Sequence, residues 1–457
     1  MQQGQIITLE IADLADSGDG VGRDRDFVVF VPNTVPGDRI EARLLHVKAN
    51  LAHARLERII VPSPDRVRSS CIVADKCGGC QWQAVSYPRQ LDAKQNQVIQ
   101  ALHRIGGFSL EEIAPAIRPI IGAESTLGYR NKVTYPLEGD RSGKVKAGYY
   151  QKGSHRIVNL NQCPVQDSRL DPLLAEIKQD LQSLGCSIYD EQKHTGLLRH
   201  LGFRIGRHTG EILLVLIATE WQIPGLAAQA KIWMARYPQL VGVLLNRNGD
   251  RTNAILGQET RCLVGRDYLE EIFAGVRFQL RADTFFQVYT EQAEKMLAVI
   301  QQELKLTGTE TLVDAYAGIG TLTLPLALKV KHAIAIEIQS QATVQAEINA
   351  ATNRITNVKF YTGKVEQLLS QPDLQMYGQP DIVLIDPPRK GCHSDAIGHL
   401  RNLRPHRLVY VSCNPATMAR DLKQLCVDSI YCLTYLQMLD FFPQTAHVES
   451  VAFLTAN

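Results

Sequence analysis

Apolar and polar positions alternate along the first sixty residues. GDGVGRDRDFVVFVP is a glycine-rich turn followed by a strand, and GDRIEARLLHVKANLAHARLERIIVP continues the alternation. The pattern predicts a small β-barrel over residues 1–62, ended by the two prolines of VPSPDRV (61–67). Residues 69–83 hold a cluster of cysteines. PRQLDAKQNQVIQALHRI (88–105) repeats with helical periodicity behind a proline suited to a first turn. The stretch 118–280 mixes strand and helix patterns without a clear repeat. From about residue 281 strands and helices alternate, which predicts a parallel α/β sheet. Three segments follow: 1–62, 63–280 and 281–457.

Composition narrows the class. The 457 residues are 45% hydrophobic and 21% charged, an ordinary globular balance. The net charge of +2 is small, so a nucleic-acid site would have to be a local basic surface. The start, MQQGQIITLEIADLADSGDG, has no basic region followed by an apolar one, and the longest aliphatic run, Ile212–Ala218, is too short to span a bilayer. A soluble, cytoplasmic protein with no membrane partner is expected. In that compartment ten cysteines are not a disulfide framework, so their spacing needs another reason.

The α/β half carries chemistry at its strand ends. TLVDAYAGIGTLTLPLA (311–327) reads as strand, glycine turn and helix start, with Gly318 and Gly320 shaping the turn. The next strand, HAIAI (332–336), runs into Glu337, where a carboxylate can accept from both ribose hydroxyls of an adenosine. That suits a nicotinamide cofactor or S-adenosylmethionine equally, and the third glycine of the dinucleotide fingerprint is missing. Two further strands run into Asp386-Pro387-Pro388-Arg389 and Ser412-Cys413-Asn414-Pro415. A purely structural sheet has no reason to set carboxylates, a prolyl corner and a thiol at such ends. SIYCLTYLQML (429–439) and HVESVAFLTA (447–456) look like a terminal strand pair. If the first runs parallel to the sheet, the second starts at the ligand edge and brings Glu449 close to Cys413.

These residues resemble the RNA uracil-5-methyltransferase family. The resemblance is carried by DAYAGIGT, IAIEI, DPPRKG, VSCNPATMARD and the terminal HVE, with RADTFFQV (281–288) and GLLRHLGFR (196–204) beside them, and it covers essentially the whole chain. It implies a Rossmann-like class I S-adenosylmethionine-dependent methyltransferase domain, preceded by an N-terminal TRAM β-barrel and a central α+β domain carrying a metal cluster. By the same resemblance Cys413 is the nucleophile and Glu449 the base. Gln287, Tyr316, Glu337 and Asp386 stand where the family holds S-adenosylmethionine, and Asp386 is also a candidate contact to the target base. Uracil C5 is a poor nucleophile, and a thiolate adding at C6 makes it enolate-like, so the chemistry needs a cysteine. The base must leave its stack to be attacked. The chain departs from the family at Ala317, often a cysteine, and adds Cys392, a rival thiol expected to be structural.

The other cysteines form their own pattern. Cys71, Cys77 and Cys80 are close in sequence, and Cys163 lies far off in NQCPV. Spacing alone admits an iron–sulfur cluster, a structural zinc or a thioredoxin-like pair. The resemblance implies a [4Fe-4S] cluster with a structural role. For RNA, Arg39, Arg43, Lys48, Arg55, Arg58, Arg66 and Arg68 crowd residues 39–68. The stretch 129–156 interleaves basic residues with four tyrosines, a pattern equally that of a solvated strand face, and Arg199, His200 and Arg204 are added candidates. The expected partner is RNA rather than DNA, bound by a monomer. The TRAM barrel and cluster favour 23S rRNA, with tRNA as the alternative. A dehydrogenase and a non-catalytic RNA-binding scaffold with a zinc site are the rival classes. The scaffold requires neither Cys413 nor Glu449, and the missing third glycine and the Cys-Asn-Pro corner argue against the dehydrogenase.

Overall fold

The computed structural model describes residues 1–140, 143–371 and 378–457. It divides into two compact units, Met1–Thr126 with Pro387–Asn457, and Leu127–Asp386. The first unit begins with β1 (Ile6–Leu14), β2 (Gly20–Asp24), β3 (Phe27–Val31), β4 (Arg39–Val47) and β5 (Leu51–Val61), which close into a barrel in the order β1-β2-β3-β5-β4. The alternation works as read: Ile7, Leu9 and Ile11 of β1 point inward onto Val29, Ile40 and Leu44. Asp38 closes one end of the barrel. Its buried carboxylate accepts from the amides of Val35 (2.7 Å) and Ser63 (2.9 Å) and pairs with Arg66 (2.5 Å). Burial works against its charge, but Arg66 and the two amides outweigh it and hold its pKa below the usual value.

Helix α1 (Tyr87–Ala101) confirms the periodicity seen over 88–105, and the last residues of that stretch continue as a π-turn, Leu102–Gly106. Gly107, at φ 77°, ends the turn in the left-handed region. A short helix α2 (Leu110–Ile113) follows behind a Ser109/Glu112 capping box. The buried face of α1 is unusual in containing Gln90 and Lys94. Both are satisfied from the far end of the chain. Lys94 Nζ, fully buried, meets Asp440 Oδ1 at 2.5 Å and donates to the Phe442 carbonyl at 3.0 Å. Gln90 donates to the carbonyls of Trp82 and Val85 and to Gln444 Oε1, and accepts from the Gln444 amide.

The second unit starts with a seven-stranded sheet. It contains β6 (Lys132–Gly139), β7 (Val145–Tyr150), β8 (Ile157–Asn159), β9 (Leu198–Ile205), β10 (Ile212–Ala218), β11 (Leu240–Arg247) and β12 (Glu259–Gly265), ordered β12-β11-β10-β9-β6-β7-β8. Helices α3 (Asp171–Ser183) and α4 (Leu226–Arg236) accompany it. All seven residues of β10 are buried, which explains the unbroken aliphatic run: a central strand covered on both faces needs no polar alternation. A hairpin follows, β13 (Tyr268–Phe273) with β14 (Val276–Arg281). The expected alternation then appears as α5 (Thr290–Leu304), β15 (Thr311–Asp314), α6 (Thr323–Ala327), β16 (His332–Glu337), α7 (Ser340–Thr352), β17 (Val358–Thr362), α8 (Val365–Leu368) and β18 (Ile382–Ile385). Strands β17, β16, β15 and β18 pair in parallel in that order.

The chain returns to the first unit with α9 (Ser394–Leu403), β19 (Arg407–Ser412), α10 (Pro415–Cys426), β20 (Tyr431–Leu439) and β21 (Glu449–Ala456). Strand β21 runs antiparallel to both β19 and β20, the terminal pair expected from sequence. Among the described residues no helix is long and apolar enough to cross a membrane.

The Lys94–Asp440 pair joins residues 346 positions apart. Replacing one buried partner leaves the other charge uncompensated. Lys94→Met is expected to destabilise the protein by about 3 kcal/mol, and the double variant Lys94→Met/Asp440→Leu to recover most of that. Urea denaturation of the two variants checks it; equal losses in both would contradict it.

Candidate active site

In the second unit three parallel strands deliver polar groups to one edge. Strand β15 ends in Asp314, β16 in Glu337, and Asp386 follows β18. The turn after β15 needs its glycines: Gly318 has φ 56°, and a Cβ on Gly320 would sit 2.9 Å from Leu324 Cγ. Glu337 clamps this turn. Its Oε2 accepts from the Gly318 amide (2.9 Å) and its Oε1 from the Gln339 amide (2.7 Å), so the carboxylate is oriented by backbone before any ligand arrives. Gln287, Asp314, Tyr316, Gly318 and Asp386 line one pocket. Gln287 is buried, and its carbonyl accepts from the Asn131 side chain at 2.9 Å.

Asp314 was not singled out from the sequence. Its signal was an acid at a strand end directly before the glycine turn. Thr323, which stands where a dinucleotide fingerprint would place its third glycine, donates to Asp314 Oδ2 at 2.6 Å. The missing glycine is thus a hydroxyl that orients a buried carboxyl. Burial pushes the Asp314 pKa up to about 6 and, with the Asp314 charge nearby, raises Asp386 to about 7. The pocket therefore holds two carboxyls that resist ionising together, a setting that favours a cationic ligand.

In the first unit β19 ends at Ser412 and α10 begins at Pro415, leaving Cys413 and Asn414 as the corner. Asn414 caps the helix: its Oδ1 accepts from the amides of Ala416 (3.1 Å) and Thr417 (3.4 Å), and its Nδ2 donates to the Arg389 carbonyl at 3.0 Å. One side chain thereby fixes both the helix start and the DPPR corner, with Pro415 suited to the first turn. Cys413 lies just before this N-terminus, where a negative charge is favoured. The strand register pairs Ser412 with Ser450, so Cys413 and Glu449 occupy the next position outward on adjacent strands. Glu449 is buried and also opposes Leu439. Cys413 is partly exposed and lines a cavity of about 470 Å³. That volume is within the range of small-ligand sites.

Comparison with known proteins fits this geometry. The model of the tRNA (Uracil-5-)-methyltransferase family matches residues 233–457, and the TRAM domain model matches residues 1–56. An RNA methyltransferase of Nostoc sp. is 59% identical over 99% of this chain and 96% of its own length. The chain belongs to the RNA uracil-5-methyltransferase family. Another RNA methyltransferase, from Halalkalibacterium halodurans, is 38% identical over 99% of this chain and 98% of its own. Among solved structures, the Pyrococcus abyssi tRNA (uracil-54, C5)-methyltransferase in complex with S-adenosyl-L-homocysteine aligns with a TM-score of 0.78 and 25% identity, over 98% of this chain and all of that one. The fold is that of S-adenosylmethionine-dependent methyltransferases, with an N-terminal TRAM barrel.

Within this RNA methyltransferase several expected contacts take a different place. Arg199 is buried and donates to the carbonyls of Asn248, Asp250 and Thr252. Arg204, only 2% exposed, donates to the Arg281 carbonyl and to Thr284. Both hold loops; Arg204 is thereby withdrawn from the surface, whereas Arg199 also lines a cavity beside Tyr149 and Tyr150. Tyr129 and Tyr135 are core residues, whereas Tyr149 and Tyr150 line a cavity of about 710 Å³ that His200 also lines. On the barrel Arg43 and Arg55 pair with Glu57, Arg58 with Glu41 and Arg66 with Asp38. Among the described residues Arg39, Lys48 and Arg68 are left as the unpaired cations of that segment. Cys392 is buried with its Sγ 3.9 Å from the Tyr410 hydroxyl, which donates to Asp421 at 2.6 Å.

Cys71, Cys77, Cys80 and Cys163 are in no disulfide among the described residues, and the Gly79 amide donates to Cys77 Sγ at 3.4 Å. They fit a four-thiolate group in kind and number. Among the described residues, however, no three Cys, His, Asp or Glu side chains are gathered into a metal-holding set.

A carboxyl whose folded pKa is raised stabilises the fold below its unfolded pKa and loses that contribution as pH rises through the folded value. Asp386→Asn keeps the shape and cannot ionise. It is expected to gain stability relative to the natural chain as pH goes from about 4 to above 7. Thermal midpoints across that range check this, and a pH-independent difference contradicts it.

Proposed function

We propose that the protein transfers a methyl group from S-adenosylmethionine to C5 of a uridine in RNA, with Cys413 as nucleophile and Glu449 as base. The observation that carries this reading is the Ser412–Ser450 register, which sets thiol and carboxylate at the same end of neighbouring strands. The Cys413 thiolate adds to C6 of an extruded uracil, and the electron pair moves to C5. C5 takes the methyl group, and S-adenosylhomocysteine leaves. Glu449 removes the C5 proton, the C6–S bond breaks, and the ring double bond and thiolate are restored. Asn414 holds the thiol's corner. Gln287, Tyr316, Glu337 and Asp386, now joined by Asp314, would hold the methyl donor. The paired carboxyls suit its sulfonium charge, and Asp386 is also available to the base.

Functionally the chain reads as an RNA-binding barrel (1–62), a central segment (63–280) and a catalytic domain (281–457), acting as a cytoplasmic monomer. Cys71, Cys77, Cys80 and Cys163 would hold a [4Fe-4S] cluster, which supplies cross-linking of the fold and no electrons to the reaction. The substrate favoured is 23S rRNA, on the strength of the TRAM barrel together with that cysteine set. tRNA is the second reading, supported by the full-length likeness to the Pyrococcus abyssi tRNA enzyme.

Cys413→Ala is expected to lower methyl transfer by about 10⁴-fold or more. Tritium release from 5-[³H]uridine-labelled RNA measures it, and turnover near the natural rate removes Cys413 from its role. Glu449→Gln should slow release by about 100-fold or more and trap a methylated protein–RNA adduct on a denaturing gel. No adduct would count against Glu449 as base. Protein purified without oxygen is expected to be brown, with about four irons and four sulfides per chain. A colourless protein with one zinc would overturn the cluster.

A further inference from the structure

The cavity that holds Cys413 has a second wall, built by a part of the chain to which neither the sequence motifs nor the family chemistry gives a task. Gln97 and Gln100 of α1, then Arg104 and Ile105 of the π-turn, line it alongside Arg389 and the 413–416 corner. The π-turn is a local departure from a regular helix, of a kind found frequently at functional sites. Leu102 and Gly106 are buried at its ends, and His103, Arg104 and Ile105 between them are exposed. A Cβ on Gly106 would come within 3.3 Å of the Ala419 carbonyl and 2.7 Å of the Phe108 ring, so the turn is pressed against α10. That is the helix whose first turn sets the Cys413 corner. The exposed residues are therefore held at a fixed place beside the thiol.

Their chemistry fits a nucleic-acid strand. Among the described residues Arg104 makes no hydrogen bond or ion pair, in contrast to the paired arginines of the barrel. The Arg389 side chain is likewise exposed and unpaired. Ile105 is 44% exposed, and it lines the cavity together with polar side chains such as Asp16 and Gln100 and apolar ones such as Pro415 and Val448. A uridine that reaches Cys413 brings its flanking phosphates to this rim and leaves its neighbour unstacked on one face. Apolar side chains commonly fill such a gap, and arginine commonly takes the phosphate.

We propose that the π-turn holds the RNA strand at the mouth of the Cys413 cavity: Arg104 binds a phosphate flanking the extruded uridine, and Ile105 packs against the neighbouring base. These are positioning residues, and the inference rests on the reading that Cys413 attacks a uracil. The test uses the full chain with unmodified 23S rRNA and tRNA transcripts, filter binding across a salt series, and methyl transfer in parallel. Arg104→Ala is expected to weaken binding to the methylated transcript about tenfold and to reduce the log–log salt slope by about 0.7, while Arg104→Lys keeps the slope. Ile105→Ser should raise the RNA KM about fivefold. S-adenosylmethionine affinity and thermal midpoint should stay at the natural values in all three. If the natural chain methylates RNA and Arg104→Ala binds it with unchanged affinity and slope, the inference falls alone. If Arg104→Ala weakens binding while the natural chain transfers no methyl group, the phosphate contact stands and the uracil chemistry falls.

Discussion

A buried lysine meeting a buried aspartate determines how the first unit is assembled. Lys94 and Asp440 are both fully inaccessible to water, and neither could keep its charge there alone. Burial pulls the Lys94 pKa down, and the Asp440 charge opposes it. The pair ties α1 to the segment that leads from β20 into β21. The amides of Gln81 and Trp82 donating to the Gln444 carbonyl, and the Gln90–Gln444 exchange, add neutral clamps to the same segment. Glu449 begins β21 a few residues later. Its place opposite Cys413 thus depends on an N-terminal helix as well as on the strand register. Such pairs are weak sources of net stability, but they reject alternative arrangements in which either charge is stranded.

The strand ends of the second unit work on a different principle. There the backbone and one hydroxyl prearrange carboxyl groups that repel each other. Glu337 is held by two amides and Asp314 by Thr323, while Asp386 stays in an environment that resists its charge. A pocket in this condition gains most from a ligand that carries positive charge. The replacement of the fingerprint's third glycine by Thr323 belongs to the same logic, since it supplies the donor that a close-packed glycine turn would lack.

What the sequence made legible and what it hid divide along range. The barrel, α1 and the parallel strands were readable because alternation and helical period are local consequences of which face is buried. The position of Glu449 was readable because one assumption about strand direction fixed it. The electrostatics were not. Arg204 looked like an RNA contact and is a loop brace, since a carbonyl 77 residues away claims its guanidinium, and Arg199 braces a loop while it lines the cavity of Tyr149 and Tyr150. The barrel's basic run looked free and is largely paired, because Glu41 and Glu57 face its arginines across the strands. Gln90 and Lys94 broke the expected apolar face of α1 for partners more than 340 residues downstream. The loosening of α1 into a π-turn had no sequence signature either; it becomes meaningful only beside the thiol that the far end of the chain supplies.

We propose that this member of the RNA uracil-5-methyltransferase family makes 5-methyluridine in RNA, with the large ribosomal subunit as its favoured substrate. The most direct measurement is mass-spectrometric mapping of 5-methyluridine in 23S rRNA and tRNA from cells with the gene, without it and with it restored. One or two 23S rRNA uridines are expected to lose their methyl group without the gene and regain it on restoration, while tRNA stays unchanged. Loss confined to tRNA would transfer the substrate to the second reading, and 5-methyluridine unchanged in both RNAs would contradict the account.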